Sequence, residues 1–219
     1  PGSCAGAARS WITSIEPTTI DSTVVERMAV SENLSSYLLL PIQGGDARVL
    51  DACLALELPL FVKPARLGSS VGITKVRTRA ELPSAVDIAL GYGPRALVEH
   101  GLDAREIEVA VLGGQSPRAA LPGEVVPGHE FYDYNDKYVD SACQLLAPAP
   151  LDDAASRRAR ELAVEVFTSL GCSGMARVDL FLEREGHGVW VNEVNTIPGF
   201  TSISMYPKLW GVSGMPYAE

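Results

Sequence analysis

Apolar positions along the chain change period several times, and each change marks an element. Leu82, Ala85, Val86 and Ala89 recur at the spacing of one helix face, which predicts a helix over Ala80–Leu90. The same period returns in Leu162, Ala163, Val166, Phe167 and Leu170, with Asp152 placed to cap the start and Gly171 to stop the end. A helix over 153–170 follows. Elsewhere the pattern is that of strands. Leu58–Lys63 is an apolar run broken by Pro64, followed by the small-residue loop ARLGSSVG and a second run, GITKVRT. Residues 58–77 therefore read as a hairpin with a glycine-rich tip. Further strands are predicted at Arg95–Glu99, Glu106–Leu112 and Gly123–Val126. Weaker patterns suggest a short helix around Val24, Val25, Met28 and Ala29, a strand at Tyr37–Leu40 and a helix at Ala47–Leu56. The segment PGHEFYDYNDKYVDSACQ, residues 127–144, fits neither period. A long aromatic loop inside a compact domain usually carries function.

Two strands flank the turn EREGHG: MARVDLFL, residues 175–182, and GVWVNEVN, residues 188–195. A hairpin centred near Gly186 sets Asp179 opposite Glu193 and Arg177 opposite Asn195, and strand alternation puts all four on one face. Three hard oxygen donors beside an arginine make a poor core and suit Mg²⁺, which takes one or two carboxylates together with waters and substrate phosphates. The plain alternative is a solvated sheet face on which Arg177 pairs with Asp179 or Glu193. Asn195 makes no salt bridge, and the strand runs into Pro198 and Gly199, where a backbone can approach a ligand closely.

Lys63 ends an apolar strand beside the loop containing Gly68, Ser69, Ser70 and Gly72. A lysine there requires an anionic partner, and the loop can aim N–H groups at phosphate oxygens. An ordinary hairpin loop with a snorkelling lysine is the competing reading. Glu99 and Glu106 bracket HGLDAR at the edges of two strands. They are either surface glutamates or acceptors for the amino and hydroxyl groups of a nucleotide.

Composition narrows the partners. The chain has 219 residues, 47% of them apolar, enough for a buried core. Its net charge of −9 argues against nucleic acid and against an anionic membrane. Cys4, Cys53, Cys143 and Cys172 form no C-x-x-C pair, which predicts free thiols in a reducing compartment, and hence a cytoplasmic protein. The opening residues lack the pattern of a signal peptide, and no apolar run reaches the roughly 18 residues of a membrane span.

FVKPARLGSSVGITKV, LVEHGLDAREIEVAVLG, FYDYNDKY, GMARVDLFL and NEVNTIPGFTSISMYP, in this order, closely resemble the D-alanine–D-alanine ligases of the ATP-grasp superfamily. The likeness covers about residues 56–217, and five ordered motifs make it specific. It implies an α+β ATP-grasp fold, in which two α+β subdomains with largely antiparallel sheets grip ATP. A reduced or incompletely represented N-terminal α/β domain would occupy residues 1–20, where GSCAGAARSWITSIEP is similar to that domain's first helix. The central subdomain would span 21–112 and the C-terminal one 113–219, with 127–144 as a lid.

The resemblance also implies an enzyme. ATP would phosphorylate one D-alanine, and the amine of a second would attack the acyl phosphate, giving the dipeptide for peptidoglycan. Lys63 would bind ATP phosphates, Ser70 would close over them, Glu99 would contact adenine and Glu106 ribose. Lys137 would reach the transferred phosphoryl group, while Tyr138 and Ser69 would order the loop over the first substrate. Asp179, Glu193 and Asn195 would hold two Mg²⁺ ions, or Mn²⁺. Arg177 and the Gly199 N–H would stabilise the oxyanion, and Ser204 would hold the second carboxylate. The implied partners are ATP, two molecules of D-alanine and a second copy of the chain in a homodimer. Tyr132, Tyr134, Lys137 and Tyr138 match the pattern of amine-using ligases. D-alanine–D-lactate ligases, other ATP-grasp carboxylate–amine ligases and a catalytically silent nucleotide-binding fragment are the alternatives. One departure is Asp21-Ser22, where relatives often carry Asp-Lys.

Overall fold

The computed structural model describes residues 9–10, 56–65, 71–127, 144–185 and 188–217. The elements expected at 24–29, at 37–40 and across most of 47–56 lie outside the described residues, as do Cys4, Cys53, Cys143 and nearly all of the 127–144 loop. The rest divides into two compact units, one holding 56–65 and 71–102, the other 9–10, 103–127, 144–185 and 188–217.

In the smaller unit, strand β2 (Leu60–Pro64) lies between β3 (Thr74–Val76) and β4 (Ala96–His100), antiparallel to both. Alternation sends Leu60 and Val62 inward with Val76 and Val98, and helix α1 (Leu82–Leu90) covers them with Leu82, Ala85, Val86 and Ala89. This is the face that the sequence period predicts. A 3-10 turn at Arg79–Glu81 precedes the helix. Pro64 does not break its strand as expected. It is the last residue of β2, opposite Ala96, beyond the point where β3 stops pairing, so its missing N–H costs no ladder bond on that side. The hairpin turn needs Gly72, whose φ is +75° and where a Cβ would come within 2.7 Å of the Tyr92 ring.

The larger unit is a seven-stranded sheet. Its path runs β1 (Arg9–Ser10), β10 (Val189–Asn195), β9 (Gly174–Glu183), β5 (Ala104–Gly113), β7 (Gly123–Val126) and β8 (Gln144–Leu146), with β6 (Arg118–Ala119) paired to β5. β1 adds parallel to β10, and every other pair is antiparallel. Strand β5 is longer than its expected range because β9 pairs with it along all ten residues. Helix α2 (Asp153–Ser169) packs Ala159, Leu162, Ala163, Val166 and Phe167 on one sheet face, against Ile107, Val109, Val111, Val178 and Leu180 among others. Asp152 caps it by accepting a bond from the Ala155 N–H at 2.7 Å, and Gly171 follows its end at φ +65°. At the edge of that face Arg105 forks onto the buried Glu124 at 2.7 and 2.6 Å, tying β5 to β7.

On the opposite face, helix α3 (Met205–Val212) seats against β5 and β7. The Tyr206 hydroxyl donates to the Val111 carbonyl at 2.9 Å. A Cβ at Gly123 would come within 2.8 Å of both Leu209 and Met205, so this helix requires glycine beneath it. The remainder of that face carries the charged residues.

Candidate active site

Register places the charges. Asp179 on β9 lies opposite Glu193 on β10 and opposite Glu108 on β5, so three carboxylates form one row across three adjacent strands. The next row holds Asn195, Arg177 and Ala110. The pairs predicted from sequence, Asp179 with Glu193 and Arg177 with Asn195, are those observed, but the hairpin does not reach them by uniform alternation. Nearer the turn, Trp190 pairs with Phe181 and Val191 with Leu180, and an irregularity between Val191 and Glu193 shifts the register by one. Asn192 is the extra residue of a β-bulge. The shift reverses which face each side chain takes: Val189 and Val191 enter the core at odd numbers, Val194 at an even one. Without the bulge, Glu193 and Asn195 would point into the core beneath α2.

The charged side chains are closely linked. Arg177 donates from Nε to Asp179 Oδ1 at 2.6 Å and from Nη2 to Oδ2 at 2.7 Å, a bidentate pair. Its Nε also lies 3.4 Å from Glu108 Oε2. The Asn195 amide donates to Asp179 Oδ2 at 3.0 Å and to Glu193 Oε1 at 3.2 Å. Burial disfavours the charge on Arg177, but Asp179, then Glu108 and Glu193, outweigh it and hold the guanidinium protonated. Burial, with Glu193 adding to it, pushes the Asp179 carboxyl up to about 6, against the pull of Arg177.

Among the described residues no three His, Cys, Asp or Glu side chains gather closely enough to make a cation site of those types alone. The available donors are two carboxylates and an amide. A single Asn195 nitrogen bonds to both acids, which brings an oxygen of each around one point. That set of hard oxygens fits a divalent cation that completes its shell with water and phosphate, once the Asn195 amide turns its oxygen inward.

After β10 the chain passes through Pro198, Gly199 and an exposed loop to α3. Ser204 is the first flanking residue of that helix. Its Oγ accepts from the Thr201 N–H at 3.1 Å and would lie 3.0 Å from a Cβ at Gly199. Gly199 and Ser204 are thus brought together, and the missing side chain at 199 makes the room. Glu106 shares the face of Glu108, two residues away on β5 and opposite Phe181.

In the smaller unit Lys63 and Glu99 sit diagonally across β2 and β4, with Nζ 2.8 Å from Oε2 and both side chains 15% exposed. The anionic partner that Lys63 requires is Glu99 in this structure, and Glu99 Oε1 is buried without a bond. Ser69, Ser70, Lys137 and Tyr138, with Tyr132 and Tyr134, lie outside the described residues. Glu108 is the residue that sequence reading passed over. It is 8% exposed, and its place two residues after Glu106 was the signal, since alternation puts both on one face.

Comparison with known proteins gives a consistent picture. A family model described as D-ala D-ala ligase C-terminus matches residues 43–219. The D-alanine–D-alanine ligase of Thermoanaerobacter sp. (strain X514) is 54% identical over 164 residues, 74% of this chain and 46% of that protein. That of Solibacter usitatus (strain Ellin6076) is 44% identical over 198 residues, 90% of this chain and 61% of that protein. Among solved structures, the VanG D-Ala:D-Ser ligase from Enterococcus faecalis superposes with a TM-score of 0.77 at 34% identity, over 89% of this chain and 56% of that one. The D-alanine–D-alanine ligase from Coxiella burnetii gives 0.69 at 39% identity, over 81% and 46%. The chain spans about half the length of the curated relatives it matches.

Proposed function

The chain belongs to the D-ala D-ala ligase C-terminus family, and from that premise we propose that it carries the nucleotide and metal residues of an ATP-dependent ligase that joins two D-alanine molecules. Its fold is the α+β ATP-grasp fold. The observation that carries the proposal is the bulge in β10, which turns Glu193 and Asn195 onto the face of Arg177 and Asp179. The parity switch keeps an acid and an amide out of the core and gathers them beside the half-buried Arg177 and the buried Asp179, a cluster of hard oxygen donors that suits a bound cation.

In this reading Lys63 and Glu99 serve the nucleotide. The Glu99 oxygen buried without a bond accepts from the adenine amino group, and Lys63 moves to phosphate. Glu106 accepts from the ribose. Asp179, Glu193 and Asn195 hold two Mg²⁺ ions, which when bound offset phosphoryl charge. The guanidinium of Arg177, held protonated, stands where negative charge develops on the reacting carboxyl group, aided by the Gly199 N–H. Ser204 receives the second carboxylate. Lys137, Tyr138, Ser69 and Ser70 keep the roles that the resemblance implies.

Phosphoryl transfer from ATP to the first carboxylate forms an acyl phosphate and ADP. Attack by the neutral amine of the second D-alanine forms the amide bond, and the C–O bond to phosphate breaks as phosphate leaves. No described helix is long and apolar enough to cross a membrane. A cytoplasmic homodimer making a peptidoglycan precursor completes the proposal.

Phosphate release tests it. The protein with ATP and Mg²⁺ is expected to release phosphate on addition of D-alanine alone, at a rate that D-lactate does not increase. The structural likeness to a D-Ala:D-Ser ligase makes D-serine the second comparison: faster release with D-alanine plus D-serine would move the second-substrate assignment. No D-alanine-dependent release would overturn the ligase reading.

A further inference from the structure

Arg177 faces two carboxylates within ion-pair distance, and only one of them belongs to the proposed metal set. Asp179 grips it with both oxygens, at 2.6 and 2.7 Å, and one of these also receives the Asn195 amide. A cation on Asp179 competes with that grip, since three of the roughly four lone-pair sites of the carboxylate are already engaged. Glu108 is placed differently. It stands in the row on the far side of Asp179 from Glu193, with Oε2 3.4 Å from Arg177 Nε. Opposite Arg177 on the same strand is Ala110, whose single methyl leaves the guanidinium room to lean toward Glu108.

On its other side Glu108 pairs with Gly123, over which Met205 and Leu209 of α3 are packed. The carboxylate thus lies between an apolar wall and a guanidinium, only 8% exposed. A buried acid in such a place is retained only with a charged partner. Among the described contacts the three carboxylates of the row face one guanidinium, which Asp179 and Glu108 both approach within ion-pair distance.

We propose that Glu108 is a positioning residue that keeps Arg177 in place when Asp179 turns to a bound cation. In the cation-free protein Asp179 and Glu108 share the guanidinium. In the loaded protein Glu108 alone anchors it beside the reacting carboxyl group. The inference rests on the ligase reading above for its consequence in turnover, but the link between Glu108 and Arg177 is a statement about this chain's own side chains.

The test uses the full protein labelled with ¹⁵N-arginine, with the Arg177 Nε–H signal assigned by its loss in Arg177→Lys. Wild type is expected to show slow exchange of that proton both without cation and with Mg²⁺ and ADP. Glu108→Gln is expected to keep slow exchange without cation and to exchange about tenfold faster with Mg²⁺ and ADP. Its kcat should fall about 10- to 100-fold with KM for ATP within about twofold, and Glu108→Asp should recover part of the loss. Unchanged exchange in the loaded Glu108→Gln protein overturns the proposal, as does a kcat within about threefold of wild type. Should Glu108→Gln fail to fold, Glu108→Asp decides, since its shorter reach is expected to accelerate exchange in the loaded state and unchanged exchange overturns the proposal. A wild type without D-alanine-dependent phosphate release defeats the ligase reading, and the exchange comparison still decides the Glu108–Arg177 link.

Discussion

Glu193→Gln is expected to lower turnover by about three orders of magnitude while leaving the fold intact. The substitution keeps the shape of the side chain and an oxygen that can accept from the Asn195 amide, so the 3.2 Å contact survives. It removes the charge. A metal held by one carboxylate and two neutral donors binds more weakly and offsets less phosphoryl charge, and a loss of about 4 kcal/mol in transition-state stabilisation corresponds to that rate. Stability should move the other way. Glu193 repels Asp179 across the register and helps to raise its pKa, so removing that charge relieves the cation-free protein. A coupled assay of ADP formation, with the urea midpoint measured in EDTA, checks both signs. Turnover within tenfold of wild type would take Glu193 out of the metal set.

Arg177→Met carries the second large effect, and here activity and stability fall together. The arginine is the only cation that the described contacts place between Asp179 and Glu108. Its removal leaves buried carboxylates uncompensated, a change that costs about 3 to 5 kcal/mol in such sites. Turnover should drop by about 10² to 10³, the usual loss when a group that meets developing oxyanion charge is deleted. Mg²⁺ distinguishes the two consequences: it should restore part of the stability, by neutralising the row, and none of the rate. A urea midpoint equal to wild type in EDTA would show that the row is less charged or more hydrated than its burial implies.

Much of this arrangement is legible in the sequence where one physical rule dominates. Helix α1 buries Leu82, Ala85, Val86 and Ala89 because a short amphipathic helix on a sheet has no other face to offer. Helix α2 begins and ends where Asp152 and Gly171 allow. The site hairpin is half legible. Its four polar residues pair as alternation predicts, yet only because the bulge at Asn192 corrects a register that is one residue different near the turn. The trace of that bulge is the three-residue step from Val191 to Val194 in a strand whose other core valines are two apart.

Other elements were hidden by competing rules. Pro207 and Gly211 mask α3, but Pro207 falls in the first turn, where its missing N–H has no partner to lose. Strands β6 and β8 hold two and three residues, too few for a period. Pro64 reads as a break, and only the early end of β3 lets it remain in a strand. Glu108 could be placed on the face of Glu106 by alternation, but its nearness to Arg177 depends on the β5–β9 pairing, which joins residues about seventy apart in sequence.

The most direct measurement follows the oxygen. With D-alanine carrying ¹⁸O in both carboxylate positions, the proposed acyl phosphate must hand one labelled oxygen to phosphate and leave the other in the amide carbonyl. Mass spectrometry of the products after turnover of the full protein with ATP and Mg²⁺ is predicted to find one ¹⁸O in each released phosphate and D-alanyl-D-alanine formed in equal amount. Phosphate free of label, whatever its rate of release, would contradict the account.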